Sequence, residues 1–145
     1  MGNQVFDFFA ITPHYDLDLM KPGQQLTSLT ADIITGMKPV LEDFNPDYVF
    51  VHGDTATTTA TSLAAFYNQS KVCHVEAGLR TNGKCTPFAE EINRQVTSRI
   101  AHLHFASTET SRYNLGKENI ANPAILITGN TRIDALLYSV AKVAN

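Results

Sequence analysis

The stretch that decides the fold is YVFVHGDTATTTATSLAAFYNQSKVCHVEAG, residues 48–78. It begins with a short β-rich run, Tyr48-Val49-Phe50-Val51-His52, which stops at Gly53-Asp54-Thr55. Over residues 57–67 the apolar side chains Ala60, Leu63, Ala64, Phe66 and Tyr67 gather on one side, the spacing of a helix. A second run, Lys71-Val72-Cys73-His74-Val75, ends at Glu76-Ala77-Gly78. Strand, helix and strand in about thirty residues make a βαβ unit, because two parallel strands need a crossover of that size.

The same alternation continues outward. Upstream, Leu26, Leu29, Ile33, Met37, Val40, Leu41 and Phe44 recur at steps of three and four, one face of an amphipathic helix. Pro39 lies inside that pattern, which predicts a kink, and Asn45-Pro46-Asp47 ends it. The first twenty residues read as irregular, with an apolar cluster at Val5, Phe6, Phe8 and Phe9. Downstream, residues 89–101 read as a helix with Ile92, Val96 and Ile100 on one face, and 103–106 as a strand. Ser107-Thr108 caps a helix to about residue 118, with Glu109 in its first turn. A strand at 124–127 and a helix at 131–143 complete the chain. The expected class is α/β, a mostly parallel twisted sheet with helices on both faces. Ligands in such sheets bind beyond the carboxyl ends of the strands. That rule selects His52-Gly53-Asp54-Thr55, Glu76-Ala77-Gly78, Ser107-Thr108 and Gly129-Asn130-Thr131.

Composition removes other classes. A formal charge of −3 offers no basic footprint for nucleic acid or an anionic membrane. No apolar stretch approaches a bilayer span, and Met1-Gly2-Asn3-Gln4 lacks the features of a secretory leader. The two cysteines, Cys73 and Cys85, form no CxxC and read as reduced thiols, so the expected compartment is the cytoplasm. There is no P-loop, no G-x-G and no G-x-S-x-G elbow.

The strand-end carboxylates carry the chemistry. Asp54 and Glu76 end consecutive strand runs, and Glu90 or Glu91 opens the next helix. Adjacent strands lie about 4.8 Å apart, so such groups can share one small ligand. Clustered carboxylates separate one another's proton affinities, giving one acid and one base. Asp54 and Glu90 can equally serve as helix caps or first-turn residues; Glu76, after an apolar strand, has no capping role. His52 and His74 each sit beside a carboxylate. His102 and His104, two apart on one strand, are read as satisfied histidines, since zinc needs three or four ligands. Arg80 and Arg94 are candidates to grip a phosphate or carboxylate, or simply to form ion pairs.

At these positions the chain resembles the non-hydrolysing UDP-N-acetylglucosamine 2-epimerases. The resemblance rests on Val51-His52-Gly53-Asp54-Thr55, His74-Val75-Glu76-Ala77-Gly78-Leu79-Arg80-Thr81, Pro87-Phe88-Ala89-Glu90-Glu91-Ile92-Asn93-Arg94 and Ile127-Thr128-Gly129-Asn130-Thr131-Arg132. It implies interconversion of UDP-GlcNAc and UDP-ManNAc through elimination and re-addition of UDP, with no added cofactor and no metal. It implies catalytic roles for Asp54, Glu76 and Glu90, substrate contacts from His52, His74, Arg80 and Arg94, a UDP-sugar as partner, and a dimer in the full-length family. Ala89 stands where the family usually has Pro, and Cys85-Thr86 where Tyr-Ser is common.

The resemblance also implies incompleteness. Family members open with a strand, a Gly-Thr-Arg-Pro-Glu loop, a helix and a strand, and close with a second domain; on the resemblance, Phe6, Phe8 and Phe9 look like the tail of such a helix. Residues 1–145 are then expected to be a partial N-terminal Rossmann-like domain, one half of a GT-B-like fold and inactive alone. Two other readings are an association module that pairs through a bare sheet edge and a GT-B-type glycosyltransferase-like domain.

Overall fold

In the computed structural model, which describes residues 2–144, four parallel strands form one sheet in the order β1-β2-β3-β4. They are β1 (Tyr48–His52), β2 (Lys71–Ala77), β3 (Leu103–Ala106) and β4 (Ile125–Ile127). The helices are α1 (Gly2–Phe9), α2 (Leu26–Phe44), α3 (Ala56–Tyr67), α4 (Glu90–Ile100), α5 (Glu109–Lys117) and α6 (Thr131–Val143). The parallel α/β class read from the sequence is the one observed. One local reading changes: residues 2–9 form a helix, where the chain pattern alone read as irregular and only the resemblance implied a helix tail at Phe6, Phe8 and Phe9. α2 runs through Pro39 to Phe44, the span its apolar spacing predicts.

Register explains which side of the sheet is buried. Val51, His74, His104 and Ile125 sit opposite one another across the strands and so share a face. That face carries Ala65 of α3 and Ile100 of α4 against Val51 and Val72, and Leu115 of α5 against Ala77, Ala106 and Ile125. Each crossover steps one strand further in the same direction, so α3, α4 and α5 lie side by side on one face. On the other face Phe50 remains 64% exposed and stacks on Phe105, with ring centroids 5.8 Å apart. α1 and α6 meet each other: Phe9 stacks on Tyr138, and the Lys142 ammonium reaches the Phe8 carbonyl. α6 buries no residue, and its Leu136, Leu137 and Val140 are exposed.

Histidine fills the core at two neighbouring places where apolar residues would be expected, His74 and His104. His104 is buried with Nδ1 3.3 Å from the Ala124 carbonyl and Nε2 3.0 Å from the Ser98 carbonyl. His102 is exposed and precedes β3, so the two do not share a strand face. Among the described residues no helix is long and apolar enough to cross a membrane.

Candidate active site

The carboxyl ends of β1 and β2 meet at a bulge. Register slips between Val75 and Ala77, and the extra residue, Glu76, takes φ +65°. A non-glycine residue in the left-handed region costs about 1 kcal/mol or more, and a bulge re-aims the side chain it carries. Glu76 thereby turns toward β1, with Oε2 3.8 Å from His52 Nε2. Gly53 makes the turn at φ +72°, a conformation glycine favours, while a Cβ there would make only ordinary contact with Glu76 Oε2, at 3.9 Å. His52 Nε2 also lies 3.3 Å from Thr131 Oγ1 at the start of α6. His52, Glu76 and Thr131 thus form one cluster.

Asp54 stands beside it. Thr55, not Asp54, caps α3, accepting from the Thr58 N–H, so the Asp54 carboxylate is left for another partner. Arg94 Nη2 donates to Asp54 Oδ2 at 2.6 Å, and Asn93 Nδ2 donates to the Asp54 carbonyl at 2.9 Å. The other arm of the same guanidinium, Nη1, donates to Glu91 Oε2 at 3.1 Å. Glu91 is fully buried. It accepts from the Thr81 N–H at 3.0 Å, the Asn82 N–H at 3.3 Å and Gln95 Nε2 at 3.0 Å, and the Thr81 hydroxyl lies 3.2 Å away. Burial alone would raise the Glu91 pKa. The hydrogen bonds from the Thr81 amide, Gln95, Arg94 and the Thr81 hydroxyl outweigh it and hold the pKa at about 2.

The remaining sequence candidates are placed differently. Glu90, in the first turn of α4, has a buried Oε2 without a hydrogen-bond partner, and Arg94 has a buried Nε likewise unpartnered. A donor and an acceptor left unpaired in the same turn are groups a polar ligand can satisfy. His74 is wholly buried on the helix-covered face. Burial drives its pKa down to about 4, against the hydrogen bond to the Gly53 carbonyl. Its neutral ring therefore donates from Nε2 to that carbonyl, 2.8 Å away, and leaves Nδ1 without a partner. Arg80 is turned inward: Nε and Nη2 clasp Glu118 at 2.6 and 2.9 Å, and Nη2 also donates to Ser98 at 2.9 Å. Its side chain is 2% exposed. Arg80→Met is expected to lower stability by about 3 kcal/mol, because a buried pair is broken. Urea unfolding tests this, and a loss below roughly 1 kcal/mol, the worth of a surface pair, would refute the buried-clasp account.

A cleft of about 550 Å³ between residues 16–20, α2 and α3 is lined by Leu17, Ile33, Met37, Thr57 and others, and touches none of these candidates. Among the described residues no three His, Cys, Asp or Glu side chains are arranged to hold a metal ion.

Comparison with known proteins bears on this strand-end cluster. The family described as UDP-N-acetylglucosamine 2-epimerase matches residues 1–145. The chain belongs to this family. It is 57% identical over 138 residues to UDP-N-acetylglucosamine 2-epimerase of Escherichia coli K12, covering 95% of this chain and 37% of that protein. The Yersinia pestis enzyme is 53% identical over 145 residues, 39% of its length. Among solved structures, the UDP-GlcNAc 2-epimerase from Neisseria meningitidis bound to UDP-GlcNAc superposes with a TM-score of 0.94 at 51% identity, over 99% of this chain and 39% of that one. The enzyme from Methanocaldococcus jannaschii does so at 0.88 and 35% identity, over 96% and 38%. The chain therefore spans well under half the length of the epimerases it matches.

Within this epimerase segment, sequence reasoning reached Asp54, Glu76, His52 and Arg94, which the fold gathers at the ends of β1 and β2 and the start of α4. It missed Glu91 as the hub between Arg94 and the 81–82 turn. The only signal was a second carboxylate beside Glu90, and a pair of acids at a helix start reads as ordinary dipole compensation.

Proposed function

We propose that this chain carries the acidic half of the catalytic site of an enzyme that interconverts UDP-GlcNAc and UDP-ManNAc. The observation that supports it best is the placement of two carboxylates at adjacent parallel strand ends, Asp54 held by Arg94 of α4 and Glu76 beside His52, in a chain 57% identical to an epimerase. The C2–H bond of the sugar is not acidic, so its proton must leave as the C1–O bond to UDP breaks. A carboxylate takes that proton, and the electron pair forms the C1–C2 double bond of a glycal as UDP departs. In the reverse sense UDP adds back at C1 and a proton is delivered to C2 from the opposite face. Two acid–base groups on opposite faces of the sugar meet that need. Asp54, Glu76 and Glu90 are the candidates. Arg94 orients Asp54, and its unpaired Nε, with the unpaired oxygen of Glu90, faces demands that a polar ligand would meet. His52 is exposed beside Glu76 and can reach substrate directly. His74 and Arg80 support the site from beneath, through Gly53 and Glu118.

The rest of the site, in this reading, comes from sequence corresponding to the remainder of the longer relatives. The assembled enzyme is a cytoplasmic homodimer; both Cys73 and Cys85 are free thiols. The test replaces the matching 37% of the Escherichia coli enzyme with residues 1–145 and follows UDP-GlcNAc in deuterated water. UDP-ManNAc carrying deuterium at C2 is expected. Asp54→Asn, Glu76→Gln and Glu90→Gln are each expected to slow turnover by about 100-fold or more. A folded chimera that forms no UDP-ManNAc would overturn the reading. Residues 1–145 alone are expected to show no turnover, and turnover by them alone would refute the half-site proposal.

A further inference from the structure

We infer that Glu91 is a positioning residue for Asp54, tying the turn after β2, the first turns of α4 and the end of β1 into one rigid unit. The inference deepens the epimerase reading and rests on it for the meaning of Asp54, but the physical link is carried by geometry. Glu91 projects from the second residue of α4 into a site with no solvent exposure. One of its oxygens, Oε2, serves the Thr81 N–H and Arg94 Nη1; the other, Oε1, serves the Asn82 N–H and Gln95. Arg94 then spans from Glu91 to Asp54, one arm on each carboxylate. Asn93, one residue before Arg94, holds the Asp54 main chain, and Thr59 of α3 donates to the Asn93 carbonyl. A guanidinium gripped at both ends has its plane fixed, and so fixes the carboxylate it holds.

The alternative is a carboxylate that merely fills a helix start. Three details oppose it. An exposed first-turn acid gains only a few tenths of a kcal/mol to about 1 kcal/mol from the helix dipole, which is no reason to bury it. Three of the donors it collects, the Thr81 and Asn82 amides and the Thr81 hydroxyl, come from a loop outside its own helix. Its partner Arg94 keeps a free Nε, so the guanidinium is not saturated by the fold itself.

The experiment is NMR on the 145-residue chain without ligand, read at the Arg94 side chain, the Asp54 carboxyl and the Thr81 and Asn82 amides. In the native chain, Arg94 is expected to give separate Nη signals, because both arms are held. Glu91→Gln keeps the shape, removes the charge and leaves one acceptor oxygen. It is expected to merge the Arg94 signals, move the Asp54 carboxyl resonance and speed exchange of the Thr81 and Asn82 amides by about tenfold. Core signals from Leu115 and Ile125 should stay in place. If Glu91→Gln fails to fold, Thr81→Val supplies the reading, since it touches Glu91 and has no bond to Asp54. It is expected to move the Asp54 and Arg94 signals. Asp54 and Arg94 signals that do not move in a folded Glu91→Gln or Thr81→Val chain would overturn the inference. The measurement involves no turnover, so an inactive chimera would count against the epimerase reading and leave this link standing.

Discussion

Replacing Gly78 with alanine is expected to abolish folding or to cost on the order of 3 kcal/mol or more. Gly78 follows β2 with φ +88°, where any side chain is strained. Space is the larger obstacle. A Cβ there would sit 2.3 Å from the Ser111 carbonyl oxygen and 2.8 Å from its carbon, well inside van der Waals contact. The obstruction is backbone in α5, and α5 cannot retreat. Thr108 caps it, Leu115 is fully buried beneath it, and Asn114 donates to the Gly78 carbonyl at 3.0 Å. Gly23 supplies the control. It has φ +72°, and a Cβ there would meet nothing within 4 Å, so Gly23→Ala reports backbone strain alone, about 1 kcal/mol. Equal urea midpoints for the two variants would show that the Ser111 contact carries no weight.

Acid is expected to destabilise the chain in two stages. His74 has a folded pKa of about 4 against an ordinary 6.5, because burial disfavours its charged form. Between those values the unfolded chain binds the proton and the folded chain does not. Stability is therefore whole above pH 6.5 and is lost as pH falls toward 4, by on the order of 3 kcal/mol for this group. His104, also lowered chiefly by burial, acts in the same direction. Glu91 follows at lower pH. Its folded pKa of about 2 lies below the ordinary 4.5, so its contribution is present above 4.5 and is lost as pH falls toward 2. Denaturant unfolding at several pH values between 7.5 and 4 checks the first stage. Unchanged stability from pH 7 to pH 5 would contradict the neutral, buried state of both histidines.

What the sequence made legible follows from periodicity. β1, α3 and β2 were readable because Val49 and Val51 alternate with exposed positions, and because Gly53 and Gly78 punctuate the ends. The strand-end rule then led to Asp54 and Glu76 without any contact information. Other features were illegible for physical reasons. Nothing in Cys-His-Val-Glu-Ala announces a bulge, yet the slip at Glu76 is what turns its carboxylate toward His52. For His74 and Arg80 the resemblance implied substrate contacts, while the residues alone left an ion pair equally open for Arg80. The fold places His74 Nε2 on the Gly53 carbonyl and Arg80 in an ion pair with Glu118. The N-terminal helix was legible only in part: Val5, Phe6, Phe8 and Phe9 keep the spacing of one helix face, but eight residues are too short a run for that period to stand out from an apolar cluster.

The sequential strand order has a kinetic consequence. Parallel sheets form slowly when partner strands are distant in the chain, because loop closure must precede any reward. Here Tyr48 pairs with Lys71, Cys73 with Leu103 and His104 with Ile125. Each closure therefore spans only roughly 20 to 30 residues, and each strand docks on the one made just before it. The sheet can grow in the direction of synthesis, from β1 toward β4, as the chain leaves the ribosome. Among the described strands the last added, Ile125–Ile127, is also the shortest, so it is held by the fewest ladder hydrogen bonds and depends most on Leu115 and Ala106 packing against Ile125.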